Sequence, residues 1–354
     1  MRILYGVVGE GMGHATRSRV VLEELSKHHE VYVVASGRAV AYLRERLPSL
    51  HPIWGYTIAY RGNAVRHWQT VVQNLKGAVR GWPQNIRRYF EILREFKPEV
   101  AISDFETFSY LFAKRHRIPV ISVDNMQIID RCRHPAQLLK GFEVQFQLTR
   151  AIVRSKLPHA FHYLIATFFY PPVSRRRTTL LPPLLRPEVL EARRAQGEHL
   201  LVYQTTTTHA SLPETLKRAG RPCRIYGLRR DLTEDWMDGN LTYRPFNEPR
   251  FIEDLRTAYA VVAGGGFTLM SEAVYLHKPV LSVPVAGHFE QTLNALYLQK
   301  LGYGAYAPRL TLEALSSFIG QQERYREALQ LYRQEGNIRF MAALNEQLAK
   351  AAGP

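Results

Sequence analysis

The sequence predicts an α/β protein of two doubly wound parallel-sheet domains, and three observations carry that prediction. Short apolar segments rich in β-branched residues alternate with stretches of helical length, the rhythm of a parallel sheet covered on both faces. The rhythm stops near residue 171 at a passage full of proline and arginine, PPVSRRRTTLLPPLLRP, and then resumes. A chain of 354 residues also exceeds one typical core and suits two.

In the first half, strands are predicted at residues 3–8, 31–35, 100–103 and 120–123, with a further one near 53–56. Helical stretches at 17–28, 39–46 and 83–96 lie between them. The second half repeats the pattern with strands at 199–204, 224–226, 241–243, 259–263 and 280–283, and a helix at 267–277. Residues after about 311 read as helix to the end. The expected division is therefore a domain at 1–185, a linker at 186–198, a second domain at 199–335, and a C-terminal helix at 336–354 packing back on the first domain.

The composition is that of a globular protein, 46% apolar and 22% charged. A net charge of +16 favours an anionic partner, whether a nucleotide, a nucleic acid or an anionic membrane. Two cysteines, Cys132 and Cys223, make neither a disulfide framework nor a cysteine-rich zinc site, so a reducing cytoplasmic setting is expected. The start, MRILYGVV, reads as a strand and not a signal peptide, because its apolar run breaks at once into GEGMGH. No window holds the roughly 18 apolar residues that a spanning helix needs.

Ligands of open parallel sheets bind beyond the carboxyl ends of the strands, so the loops there carry the functional argument. The first strand runs into GVVGEGMGHATRS, where Gly9, Gly11 and Gly13 permit a crowded backbone and a helix start offers N–H groups to an anion. The dinucleotide pattern G-x-G-x-x-G fails here, since its third glycine would fall on His14 or Thr16. The second strand ends in ASGR without an acid for a ribose diol, although Arg38 would suit a 2′-phosphate, so a nicotinamide enzyme is a minor reading. His14, at a helix start beside glycines, is a candidate general base or a histidine that bonds the loop. Asp104, ending a strand in ISDFETF, is open to three roles: orienting His14, touching an acceptor, or capping the next helix.

Four loops of the second half add to this. Thr205, Thr206 and Thr207, in a run of four threonines, suit phosphate oxygens or an N-cap. Phe246 would flank a nucleobase at a strand lip, or fill the core. Gly264, Gly265 and Gly266 precede a helix on which Glu272 shares a face with mostly apolar neighbours. That carboxylate needs a partner, because an unpaired buried charge is costly. Glu290 and Gln291 open a later helix, where they would bind sugar hydroxyls or simply favour the helix dipole, with Asn294 supporting the loop one turn on.

Together these pieces resemble the GT-B glycosyltransferases that use a nucleotide sugar. The likeness is closest to family 28, which includes the N-acetylglucosaminyltransferase that makes peptidoglycan lipid II, and extends to the related family 1. Gly264-Gly265-Gly266 followed by Glu272 looks like the loop and acid that hold the donor diphosphate and ribose hydroxyls. Glu290-Gln291 with Asn294 resembles the donor-sugar segment, Phe246 falls where the base is contacted, and GEGMGHAT resembles the glycine loop near the acceptor, with His14 as base. Gly11, Gly13 and the three threonines join the donor-binding set, and Asp104 joins His14 as catalytic.

The resemblance implies two Rossmann-like domains facing across a cleft, a UDP-sugar donor, and no metal or cofactor. It implies inversion as well, since the position eight residues after Glu272, where a retaining relative has a second glutamate, is Val280. The acceptor is unknown and open to being lipid-linked, and no nucleic acid is expected as partner. Two alternatives stand beside this reading: a nucleotide-sugar 2-epimerase of the same fold, and a basic nucleotide- or nucleic-acid-binding module. The apolar, aromatic stretch 161–170 lies between Arg154 and Lys156 on one side and Arg175, Arg176 and Arg177 on the other. It is expected either to touch anionic lipid at the inner face of the membrane or to form a buried inter-domain helix.

Overall fold

A computed structural model describes residues 1–47, 49–55, 60–61, 64–65, 81–204 and 212–353. The chain divides into two compact units. The first comprises Met1–Ala59, Arg66–Leu184 and Glu335–Pro354; the second comprises Tyr60–Val65 and Leu185–Gln334.

The first unit opens with β1 (Arg2–Val7), β2 (Glu30–Ala35) and β3 (Leu50–Pro52). A short antiparallel pair follows, β4 (Tyr60–Arg61) and β5 (Ala64–Val65), which clusters with the second unit. The first sheet is completed by β6 (Val100–Asp104), β7 (Val120–Asp124), β8 (His162–Ala166) and β9 (Thr178–Leu181). Its order is β3-β2-β1-β6-β7-β8-β9, and every pair in it is parallel. Strands β6 and β7 are buried along their whole length, which is why they read as continuous apolar runs and not as alternations. The order runs outward on both sides of β1 and β6, so the crevice between their carboxyl ends is the switch point where a ligand fits. Val7 lies opposite Ala35 on one side and Asp104 on the other, which brings three strand ends into line.

The second unit follows the same plan with β10 (Leu200–Tyr203), β11 (Cys223–Tyr226), β12 (Trp236–Asp238), β13 (Leu241–Arg244), β14 (Ala260–Ala263), β15 (Val280–Ser282) and β16 (Gly304–Tyr306). The order is β12-β13-β11-β10-β14-β15-β16, with only the edge strand β12 antiparallel. Tyr203 pairs with Tyr226 and with Ala263, so the second switch point lies at the ends of β10 and β14.

The helix Ile338–Ala352 clusters with the first unit, where it meets β6 and β8 and buries Phe340, Leu344 and Leu348. Residues at this four-residue spacing share one helical face, and each is worth about 1.5–3 kcal/mol when buried.

Three expectations change. Residues 161–170 form neither a lipid-facing surface nor a helix: β8 lies between β7 and β9, Phe168 and Phe169 are buried, and of the stretch only Tyr170 is exposed. Arg175, from the cluster expected to meet lipid, forms an ion pair with buried Asp130 at 3.1 Å. The proline–arginine passage is itself structured, supplying edge strand β9 and the helix Pro187–Leu190, with proline at the first helical turn. The strand expected near 53–56 pairs instead at Leu50–Pro52, and Tyr56 lies outside the described residues. Among the described residues no helix is long and apolar enough to cross a membrane.

Candidate functional site

In the first unit, the loop after β1 is shaped by contact with Ser36. The Gly9 amide donates to Ser36 Oγ at 3.0 Å, and a Cβ on Gly9 would lie 2.4 Å from the Ser36 carbonyl oxygen. Only glycine fits there. Gly11, at φ +81°, then precedes the helix Met12–Leu25, which starts without a side-chain cap. Gly13 lies in the first turn, and the same turn carries His14 toward the end of β6.

There His14 Nδ1 lies 2.7 Å from Asp104 Oδ1. The Asp104 carboxylate is fully buried and also accepts from Ser18 Oγ (2.8 Å), from Arg17 Nε (3.3 Å) and from Arg17 Nη2. Arg17 Nη1 continues to Asn125 Oδ1 at 3.0 Å. Burial alone pushes the Asp104 carboxyl up, but the adjacent Arg17 and His14 outweigh it and hold the group below the ordinary carboxylate value. An ionised Asp104 only accepts, so His14 Nδ1 carries a proton and donates; in the neutral form of the ring the lone pair then lies on Nε2. Arg17 Nη2 also lies 3.0 Å from Nδ1 and, as a guanidinium, only donates; both groups therefore share Oδ1 as acceptor. The His14 side chain keeps 14% of its surface exposed while Asp104 keeps none, so of the pair only the imidazole is open to solvent.

Of the three roles open to Asp104, this arrangement shows the orientation of His14. It is not the cap of the next helix. Glu106 fills that position, its carboxylate accepting from the amides of Phe108 (2.5 Å) and Ser109 (2.7 Å).

In the second unit, the glycine loop follows β14. Gly265 has φ +88°, and a Cβ there would meet Gln291 O and Ser282 Oγ at 2.9 Å each. Gly266 leads into the helix Phe267–Tyr275, which has no side-chain cap at its N-terminus. Such a start is suited to an anion. The later helix Phe289–Lys300 braces this loop: buried Asn294 donates from Nδ2 to Gly265 O (3.3 Å) and to Glu290 Oε1 (2.8 Å). Gln291 Oε1 accepts from the Val285 amide at 3.0 Å and stands close to Gly264. Gly264, Gly265, Gly266, Glu290, Gln291 and Asn294 thus form one assembly.

Glu272 has a protein partner that sequence reading missed. Arg186 donates from Nε and Nη2 to Oε1 and Oε2, each at 2.7 Å, and from Nη1 to Glu248 at 2.7 Å. Glu272 is 1% exposed, so the expectation that its charge is matched by a ligand diol alone is corrected. Burial would lower the Arg186 guanidinium, but Glu272 and Glu248 more than offset it and raise it further. The available signal was an arginine directly before the helix-starting Pro187, inside a passage that looked like linker.

Phe246 is not a core residue. It is 58% exposed at the rim of an aromatic group with Tyr226 and Phe251, its ring centroid 6.3 and 5.6 Å from theirs. Thr205, Thr206 and Thr207 lie outside the described residues. Gly11 and Gly13 belong to the first unit beside His14, whereas the other described donor-binding candidates belong to the second. Among the described residues no group of three or more His, Cys, Asp or Glu is placed to hold a metal ion.

The comparisons with known proteins bear on the family and the fold. The sequence model of the family described as glycosyl transferase family 1 matches residues 1–322. An uncharacterised glycosyltransferase of Methanosarcina mazei is 25% identical over 390 residues, covering 100% of this chain and 99% of its own. A counterpart in Methanosarcina acetivorans is 25% identical over 399 residues, with the same coverage of both chains. Among solved structures, the calicheamicin glycosyltransferase CalG4 superposes with a TM-score of 0.63 at 18% identity, over 100% of this chain and 99% of the other. UGT2 of Phytolacca americana, solved with UDP-2-fluoro-glucose and pterostilbene, superposes with a TM-score of 0.67 at 12% identity over 99% of both chains. The two parallel-sheet units are those of the GT-B fold.

Proposed function

The chain belongs to glycosyl transferase family 1, and from that premise we propose that it moves a sugar from a UDP-sugar to an acceptor hydroxyl in one inverting displacement. The observation that carries this reading is the His14–Asp104 contact of 2.7 Å at the switch point of the first sheet. With Nδ1–H held by Asp104, His14 Nε2 takes the proton of the acceptor hydroxyl as its oxygen attacks the anomeric carbon. The bond from that carbon to the diphosphate oxygen breaks, and UDP leaves with the electron pair. A positioned base of this kind contributes about 10²–10⁴ in rate. Gly11 and Gly13 keep the backbone small beside His14, so that an acceptor can approach.

The second unit supplies the donor contacts in this reading. The helix start after Gly264–Gly266 faces the diphosphate, whose charge grows as the bond breaks, and backbone N–H groups stabilise that charge. Glu290 and Gln291 take the sugar hydroxyls, and Asn294 holds Glu290 and the glycine loop in register. Phe246 flanks the base. Each carboxylate oxygen accepts more than one hydrogen bond, so Glu272 can hold ribose hydroxyls while Arg186 fixes its plane.

A lipid-linked acceptor is the finer reading of the substrate. The helix Glu143–Lys156 exposes Val144, Leu148 and Ile152 at four-residue spacing, with Val144 at 73%. The same helix carries Arg150 and Arg154, which share the single carboxylate of Asp130 and leave a surplus of positive charge. An apolar stripe with basic neighbours suits the boundary of an anionic bilayer.

Incubation with a panel of UDP-sugars and hydroxyl acceptors, with the anomeric configuration of the product read by proton NMR, tests the reaction. Inversion at the anomeric carbon is expected. Retention, or an epimer formed without any acceptor, would overturn the proposal.

A further inference from the structure

The second unit carries a concentration of positive charge that glycosyl transfer does not use. The helix Phe267–Tyr275 ends before His277, which adopts a left-handed φ of +55°, and the chain then enters β15 at Val280. This is the amino end of the strand, away from the Gly264–Gly266 loop at the carboxyl end of β14. A cavity of about 390 Å³ opens here, lined by Arg194, Tyr275, His277, Gln330 and Arg333 among others.

Its cations are held by carbonyl oxygens. Arg194 donates from Nε and Nη2 to Tyr275 O at 3.1 and 2.7 Å, and Arg333 donates from Nη1 to Gln330 O and to Tyr332 O, the latter at 3.0 Å. Beside them, buried Lys278 donates to the carbonyls of Ala195 and of Ala258, the latter at 2.9 Å. Among the described residues no carboxylate pairs with Arg194, Arg333 or Lys278. The charges work against one another. Burial first, then Arg326, Arg256 and Arg194, bring Lys278 down to about 8. Like charges gathered without an acid are a standing cost that a bound anion removes.

His277 adds an independent observation. Arg194 Nη1 lies 3.2 Å from its Nδ1, and because a guanidinium only donates, Nδ1 must be the acceptor. The ring proton therefore sits on Nε2. That N–H is buried and completes no hydrogen bond of ordinary geometry among the described residues, although the Tyr332 carbonyl, which accepts from Arg333, stands near the ring. A buried donor without an acceptor requires an explanation.

We propose that this cavity is an anion site, distinct from the glycosyl-transfer loops, which binds inorganic phosphate or the phosphate group of a small phosphorylated compound. The phosphate oxygens accept from His277 Nε2–H and from the N–H groups that Arg194 and Arg333 do not spend on carbonyls. Arginine forks suit this geometry. Burial, then Arg194, with Arg333 and Lys278 adding to it, hold His277 at about 4, so it enters the site neutral at pH 7. A bound dianion opposes those cations and moves it upward.

The test is titration of ring-labelled protein with inorganic phosphate at constant ionic strength, following the His277 resonances assigned by their loss in His277→Gln. A saturable shift is expected at millimolar phosphate, with affinity reduced about tenfold or more in Arg194→Met/Arg333→Met. UDP affinity in that variant should be unchanged, which reports an intact fold. Glycerol phosphate in place of inorganic phosphate separates the two sources: tighter binding assigns the site to an ester, equal binding to the free ion. An unmoved His277 resonance, or an equal shift in the double variant, would overturn the site.

Discussion

Arg186 and Glu272 meet through two hydrogen bonds of 2.7 Å each, Nε to Oε1 and Nη2 to Oε2, in the interior of the second unit. The pair joins a residue just before the helix Pro187–Leu190 to the middle of the helix that follows the glycine loop. Removing one partner leaves the other as an uncompensated buried charge. Arg186→Met should therefore destabilise the protein by about 3–5 kcal/mol. The double variant with Glu272→Met should cost clearly less than the sum of the two singles. Urea unfolding of the four proteins measures the coupling; additive losses would show that the pair is not a unit.

Gly265 makes a second, local prediction. Its φ of +88° and the 2.9 Å approach to Gln291 O and Ser282 Oγ leave no room for a methyl group. Gly265→Ala should lower stability by about 1–3 kcal/mol and weaken UDP binding, because the loop cannot keep its shape. Gly266→Ala, where an added Cβ meets nothing within 4 Å, is the control and should be far milder. Thermal unfolding and nucleotide titration of both variants distinguish them.

The strand rhythm, the glycine loop after β14 and the neighbourhood of His14 were all legible, because each is encoded within a few consecutive residues. Partners remote in sequence were not. Arg186 and Glu272 are 86 residues apart, and nothing near either one names the other. The same holds for strand β9, whose residues Thr178–Leu181 look like linker until Tyr163 is found opposite Thr178. Its neighbour β8 was misread for a related reason. An aromatic, apolar run of ten residues fits a lipid-facing surface, a buried helix or a central strand equally well, and only pairing on both sides decides. Glu106 fills the cap that was one of the three roles open to Asp104, while Asp104 bonds His14, Arg17 and Ser18.

Lys278 gives a prediction in pH. Its folded-state value of about 8 lies below the ordinary 10.5 of an exposed lysine, so between these values the unfolded chain binds more protons than the folded one. Stability contributed by this group therefore rises as pH increases from about 8 toward 10. The difference in unfolding free energy between the parent protein and Lys278→Met, followed over that range, should change in the parent's favour. A flat difference would contradict the depressed value.

Asp104 gives a dependence of the same sign at the acid end. Its folded-state value lies below the ordinary 3.8, held there against burial by Arg17 and His14. The stability it contributes is present above about pH 4 and is lost as pH falls through the folded value. Asp104→Asn should remove that acid-side dependence and also reduce turnover, since the amide no longer holds His14 as a carboxylate does. Acid unfolding curves of the two proteins check the first part, and initial rates check the second.

The most direct test of the account is His14→Ala, with turnover and UDP affinity measured on the same preparation. The account predicts a fall in kcat of about 10²–10⁴ while the Kd for UDP stays within about twofold, because the base acts on the acceptor and not on the nucleotide. Turnover at close to the parent rate would show that the acceptor proton is taken elsewhere and would contradict the assignment of the His14–Asp104 pair.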